Sequence, residues 1–365
     1  NNPLAPSPLY RSVGLASSAS GDGVEAAVID TDGQDEVHSL GGISLPYDDQ
    51  LQWSILEATQ NDLPTTEILR LEKKLTQHHI EAFGKLRSEC QAAVADTQLV
   101  GFRGHLLRHI PSQSLSLEIG NPWQLSEALD LPVVSDFRRH DMTIGGTGAP
   151  LSAMFHWALM AKEPRPALML NLDSIASVTW LSRENEIIAG DVGPGVGLLN
   201  EWVQEMAQQP HDLHGRIASE GKIDQALVEA SLQTPFFKRP LPKAADRHEF
   251  DHIDLGGLSA ADGAATMCAI TVRAFIEAAM LLPEPVDLVW LTGPGSEHPV
   301  IVELLKEHID RVQNVTQRDL NPHTMSAECF AWMAVRHLRR LPITTPETSN
   351  CRNAECAGFS TLPLQ

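Results

Sequence analysis

A chain of 365 residues with 42% hydrophobic and 20% charged side chains has the apolar content to build two packed domains or one large one, which excludes a disordered polymer. Forty-seven Asp and Glu against 27 Lys and Arg leave a net charge of −20, a field that repels the phosphates of nucleic acid and of an anionic membrane surface. No apolar run approaches the roughly 20 residues of a membrane-spanning helix, so neither a nucleic-acid partner nor a membrane span is expected.

In chain order, residues 1–10 are rich in Pro and Ser and read as a tail; no signal-peptide pattern is present, and a start at Asn1 rather than Met reads as trimming. Three β-prone segments between Arg11 and Leu45 are separated at Asp22-Gly23 and Asp32-Gly33. Asp-Gly between β-prone runs marks a hairpin turn, so an antiparallel meander is expected. Ile68, Leu71, Leu75, Ala82 and Leu86 then recur at helical spacing and predict a helix over residues 65–94, capped by Thr65 or Thr66 after Pro64. His78 and His79 in its middle read as structural. Strand-like pieces follow at Leu99–Phe102, Ser114–Ile119 and Pro132–Val134, and the Gly-rich run 145-GGTGAP-150 opens a helix over 151–162.

Residues 167–191 read as three strands with tight turns, a second meander. Helices are expected at 196–208 and 218–232, and Ser259 with Asp262 caps a long helix reaching Leu282. A buried strand at Val286–Leu291 ends in 292-TGPGS-296, Pro299 starts another helix, and a last amphipathic helix runs from Met325 to Leu338. Two meanders, each followed by helices, predict an α/β protein of duplicated architecture. The five scattered cysteines suit a reducing compartment better than a disulfide framework, which predicts the cytoplasm, or alternatively an organelle matrix. Cys351 and Cys356 have no His or Cys partners at metal spacing, and no metal site is expected.

Four loops carry the candidate chemistry: 16-ASSASGDG-23, 136-DFRRHDMTIGGTGAP-150, 191-DVGPG-195 and 293-GPGS-296. Such loops bind phosphate when successive backbone N–H groups converge and Gly lets the chain come close; each alone is as readily an ordinary turn. Asp136 follows the apolar run Leu131–Val134 and so sits at a strand end, where a carboxylate can act as a general base. Arg138 and Arg139 can hold an anion or neutralise Asp141; the alternative is a salt-bridged loop.

The run 134-VSDFRRHDMTIGGTGAPLSAMFHWAL-159 resembles the signature of the anhydro-N-acetylmuramic acid kinases, and the likeness extends through 191-DVGPG-195, 216-RIASEG-221, 234-TPFFKRPLPK-243, 257-GLSAADGA-264 and 330-FAWMAVR-336. The resemblance implies a two-domain actin-like ATPase (sugar kinase) fold with a duplicated β-meander plus helices and a central cleft. Domain I would hold residues 11–165 and 335–365, and domain II residues 166–334. It implies ATP-dependent opening and phosphorylation of a 1,6-anhydro sugar in cell-wall recycling, usually by a homodimer. Asp136 aligns with the catalytic base. Ser17, Ser20, Asp22, Gly23, Asp191, Gly193, Gly195, Gly293 and Gly295 fall at nucleotide-side positions, Asp22 and Asp191 being available to Mg²⁺ through water. Arg103, His105, Arg138 and Asp141 fall on the substrate side.

The departures cluster in the same loops. A family Gly and Thr of the first loop are Ser18 and Ala19, and the cleft-lining His-Gly-Gln-Thr is 103-RGHL-106. A Gly-Gly pair is Asp173-Ser174, a hydroxyl and an amide are Val192 and Val196, a central Gly is Pro294, and an acidic residue is Ser326. Glu328 lies about 200° further round the same helix and points elsewhere. Phosphoryl transfer depends on positioning and charge stabilisation. These losses lead us to expect a pseudokinase that binds a partner protein or complex and needs no cofactor. The alternatives are an active kinase that uses ATP and Mg²⁺, or a sugar-binding regulator.

Overall fold

The computed structural model describes residues 8–364; most of the expected tail lies outside them. Among the described residues the strands are, in chain order, β1 (Tyr10–Ser17), β2 (Gly23–Thr31), β3 (Val37–Pro46), β4 (Leu99–Arg103), β5 (His105–Ile110), β6 (Leu115–Ile119), β7 (Val133–Ser135), β8 (Ala167–Leu172), β9 (Ile175–Leu181), β10 (Ile187–Pro194), β11 (Leu288–Thr292), β12 (Arg311–Asn314) and β13 (Phe359–Thr361). The chain divides into two compact units. The first holds the chain as far as Ala161, His323–Pro346 and the segment from Cys351; the second holds Lys162–Pro322 and Glu347–Asn350.

Both units are built on one plan. The first has the strand order β13-β7-β4-β1-β2-β3 and the second β10-β9-β8-β11-β12. In each, three consecutive strands form an antiparallel meander, and later strands add in parallel beside the first of them: β4 beside β1 and β7 beside β4, then β11 beside β8 and β12 beside β11. The Asp-Gly signals mark the two turns of the first meander, as expected. This doubled order is the duplicated α/β architecture expected from the two meanders of the sequence. Parallel neighbours need crossover connections. The helices Thr65–Glu89 and Ala260–Ala279 run within those connections; the first buries one face, and the second is buried all round from Gly263 to Val272.

Each unit has its own apolar core. In the second, the helix Ala260–Ala279 starts at Ser259, whose hydroxyl accepts the Asp262 N–H at 3.0 Å, and packs with Trp180, Phe236 and Leu291. In the first, the helix Met325–Leu338 lies across β1, β2 and β4. The approach is close because β1 and β4 present Gly14 and Gly101 as register partners. A Cβ at Gly14 would stand 1.6 Å from the Ala327 carbonyl oxygen, and one at Gly101 1.9 Å from that of Phe330. The return to the first unit therefore includes this whole helix and begins at His323, ahead of the 335 expected from sequence.

Several elements differ from expectation. The helix Asp49–Gln60 was not foreseen, although Asp48 caps it through the Leu51 N–H and Leu51, Ile55 and Ala58 bury one stripe. The helix expected over 65–94 ends at Glu89, where Cys90 leaves helical geometry, and its N-cap is Pro64 with no side-chain bond from either threonine. The helix after the Gly-rich loop is confined to Ala153–Leu159. The helix expected at 218–232 is two short pieces, Arg216–Ser219 and Gln225–Ser231. The long helix of the second unit stops at Ala279, short of Leu282. β5 was also missed; it pairs with β6 as a separate two-stranded ribbon.

Glu328 of the helix Met325–Leu338 is buried (1% exposed); one oxygen accepts the Ser39 hydroxyl at 2.6 Å, while Oε2 has no hydrogen-bond partner among the described residues. Burial pushes this carboxyl up to about 7, with the Ser39 bond opposing. A raised carboxyl contributes stability that is intact below its unfolded value of roughly 4.3 and is lost as pH rises through about 7. Glu328→Gln, measured by urea unfolding between pH 4.5 and 7.5, is expected to remove on the order of 2 kcal/mol of that decline; an unchanged pH profile would contradict the assignment. Gly14→Ala is expected to destabilise by roughly 3 kcal/mol or to prevent folding, because the carbonyl it meets belongs to a helix backbone that has no room to withdraw. A loss below about 1 kcal/mol would count against this packing.

Candidate ligand site at the strand ends

In open α/β sheets, ligands bind outside the carboxyl ends of parallel strands, where the strand order changes direction. In the first unit that point lies between β1 and β4. Ala16 and Arg103 are register partners there, so β1 delivers Ser17 and the 16–23 loop and β4 delivers Arg103 to one edge. β7 runs parallel to β4 and delivers Asp136 to the same edge. Asp136 has φ 56, a left-handed conformation unusual for a residue with a side chain, and such strain collects at functional positions.

The first loop is closed by one side chain. The Ser18 hydroxyl accepts the N–H groups of Asp22 at 3.0 Å and Gly23 at 3.3 Å and donates to Asp22 Oδ1. Ser18 also gives its own N–H to the Gly23 carbonyl and accepts the Gly21 N–H at 3.0 Å. A phosphate cradle needs converging, unoccupied amides; here those of Gly21, Asp22 and Gly23 are taken. Ser20 and Asp22 are exposed. Ser17 is fully buried, its hydroxyl held by Tyr47 Oη at 2.7 Å and His105 Nδ1 at 2.8 Å. His105 is pushed down to about 3, by burial first and by the Arg103 charge second, and is neutral at physiological pH.

Asp136 is paired with Arg139, whose Nε lies 2.9 and 2.8 Å from the two carboxylate oxygens. Arg139 thus serves Asp136 rather than Asp141. Buried Arg138 donates to the Gly148 carbonyl, and buried Asp141 accepts the Gly148 N–H at 2.7 Å and the Thr344 hydroxyl. Together they hold the 145–150 loop. Arg103 donates to the Ser326 hydroxyl at 3.4 Å and lies 5.7 Å from the centre of the Phe330 ring. Glu118 of β6 accepts the Gly104 N–H at 3.0 Å; burial raises its carboxyl against the pull of Arg138 and Arg103. Glu328 faces Ser39, so it does not replace an acid at position 326.

In the second unit the corresponding point lies between β8 and β11, where Asn171 and Thr292 are register partners. The 173–174 turn and the 293–296 loop follow directly, and β10 returns its Gly-Pro-Gly to the same end. The amides of Gly195 and Gly197 go to the Ser174 carbonyl and that of Val196 to the Asp173 carbonyl. Gly195 is required there: a Cβ would meet the Asp173 carbonyl oxygen at 1.8 Å. Asp191 is buried, accepts the Ala245 N–H at 2.8 Å and gives its own N–H to the Lys243 carbonyl. Lys243 Nζ is buried against the carbonyls of Phe236 and Arg239, and burial pushes it down to about 8. Gly193 packs on Ala274, and Gly295 on Val196 and Leu172. Gly293 adopts φ 85 beside the Asn171 side chain. Val192 and Val196 are absorbed into the apolar core.

The structure therefore gathers Ser17, Asp22, Gly23, Arg103, His105 and Asp136 at one edge of the first unit. It gathers Gly195, Gly293 and Gly295 at one edge of the second. Arg138, Asp141, Asp191 and Gly193 serve the framework. Sequence reasoning missed Tyr47, Glu118 and the closing role of Ser18. Glu118 was within reach, because it alternates with Ser116 on a β-prone segment.

The chain matches the family profile of anhydro-N-acetylmuramic acid kinase over residues 10–362. It is 36% identical over 350 residues to an anhydro-N-acetylmuramic acid kinase of Rhodopseudomonas palustris (strain BisB18), covering 92% of this chain and 95% of that one. It is 37% identical over 345 residues to the one of Acidiphilium cryptum (strain JF-5), covering 92% and 94%. A third, from Rhizorhabdus wittichii, is 34% identical over 363 residues, covering 96% and 98%. By sequence over nearly its whole length, this chain belongs to the anhydro-N-acetylmuramic acid kinase family.

Proposed function

We propose that this chain is a family member in which ATP-dependent phosphoryl transfer is weak or lost and whose remaining role is binding. The observation that carries the reading is the closed first loop: Ser18 occupies the Gly21, Asp22 and Gly23 amides that a phosphate would need. The second unit adds to it. Its loop amides serve the 173–174 turn, Asp173 adds negative charge beside them, Pro294 lacks an N–H, and Val192 and Val196 face the core. These loops fit a triphosphate with Mg²⁺ poorly. Each hydrogen-bond donor withdrawn from a transferring phosphate costs roughly 2–4 kcal/mol of transition-state stabilisation.

A second reading, an active ATP-dependent 1,6-anhydro-N-acetylmuramic acid kinase, is favoured by the relatives that carry that name and by the retention of Asp136 at a strand end. In it Asp136 is the base toward a hydroxyl or water, released from Arg139, an exposed and therefore weakly held partner.

A thermal-unfolding titration with Mg-ATP separates the two. A ligand at 100 times its Kd stabilises the native state by about 2.7 kcal/mol, so the favoured reading expects no shift at millimolar Mg-ATP. Transfer of labelled γ-phosphate to the anhydro sugar that disappears in Asp136→Asn would establish the second reading instead.

A further inference from the structure

We propose that residues 343–355 form a strap through which the 145–150 loop of the first unit and the 242–245 segment of the second respond to one another. The chain path is the starting observation. The chain leaves the first unit for Glu347–Asn350 alone, which belongs to the second, and is back in the first at Cys351. The base of this excursion is closed within the first unit: Thr344 and Glu355 form an antiparallel bridge, and the Ile343 N–H donates to the Glu355 carbonyl at 3.1 Å. The residues between are thus a short loop with joined ends. Thr348 and Ser349 in its middle are fully buried, and Cys351 is nearly so. Close-packed groups of this kind shift together rather than yielding by degrees.

The base of the strap grips the 145–150 loop. The Thr344 hydroxyl donates to Asp141 Oδ1, and Asp141 Oδ2 accepts the Gly148 N–H at 2.7 Å. Arg352 gives its own N–H to the Ile144 carbonyl at 3.1 Å. Asp141 is buried, so an oxygen there that loses its donor is costly, and the carboxylate follows Thr344 on one side and Gly148 on the other. The tip has an anchor of its own in the second unit, where the Asn350 side-chain amide donates to the Pro242 carbonyl at 2.8 Å. The residues after Pro242 hold β10: the Asp191 N–H goes to the Lys243 carbonyl and the Ala245 N–H to Asp191 Oδ2, both at 2.8 Å. One short closed loop therefore joins the two bonded networks. A coupling of this kind is a free energy shared by two sites and acts in both directions. It holds whether or not the chain transfers phosphate.

Residue-resolved amide hydrogen exchange of the full chain tests this. Asn350 is exposed and has φ 61, so Asn350→Gly keeps the left-handed turn and removes only the side-chain amide. It is expected to speed exchange at Gly148 roughly fivefold, the effect of one lost hydrogen bond, while the core positions Val28 and Val178 keep their rates. In the other direction, Thr344→Val is expected to speed exchange at Ala245, and Thr344→Ser, which keeps a hydroxyl, to leave it at the parent rate. Should the valine variant fail to fold, the exposed Asn350→Gly decides alone. Unchanged exchange at Gly148 in Asn350→Gly, unchanged exchange at Ala245 in a folded Thr344→Val, or an equal acceleration at Val28 and Val178 would overturn the inference.

Discussion

The first unit depends on a contact between backbone and backbone. The helix Met325–Leu338 returns from the far end of the sequence and lies on β1 and β4 at Gly14 and Gly101, where its carbonyls leave no space for a Cβ. Interiors are close-packed and do not yield by degrees. Seating this helix therefore fixes how β1 and β4 lie beside one another, and so where Ser17 and Arg103 emerge. It also presents Ser326 to Arg103 and Glu328 to Ser39. The fold thus places the residues of the strand-end edge whether or not they still perform the chemistry the family name describes.

What those residues do in this chain is hold one another. Ser18 closes the first loop, Tyr47 and His105 hold Ser17, Arg139 holds Asp136, and Arg138 with Asp141 holds the 145–150 loop. In the second unit Asp191 holds the Ala245 amide and two valines fill core. Polar groups satisfied internally stabilise a fold and are withdrawn from ligands. At this edge the enclosed Nε of Arg103 has no hydrogen-bond partner among the described residues.

The architecture was legible wherever short-range chemistry decides it. Asp-Gly turns, the helical stripe after Thr65, the Ser259 cap and the last helix all carry their signals within a few residues. The misses have a common cause in longer range. β5 reads as a polar continuation of β4 and becomes a strand only by pairing with β6. The two short helices around residue 220 separate because Gly221 lies against the Ala261 carbonyl of another helix. Of the site, the sequence showed which residue types had changed, and the resemblance showed where. It did not show that the Ser18 hydroxyl reaches the amides four and five residues ahead, because that depends on how the loop turns. The pairing of Asp136 with Arg139 instead of Arg138 follows from the short helix that Asp136 precedes, which brings positions three apart onto one face.

The proposed weak or lost phosphoryl transfer requires that the occupied amides of the first loop stay closed to a phosphate. Site-resolved amide chemical shifts and hydrogen exchange at Asp22 and Gly23, recorded with and without millimolar Mg-ATP, address it most directly. Unchanged shifts and unchanged protection at both amides are the predicted result. A downfield movement with increased protection at Asp22 and Gly23 on adding Mg-ATP would show that the loop opens to take phosphate, and would contradict the account.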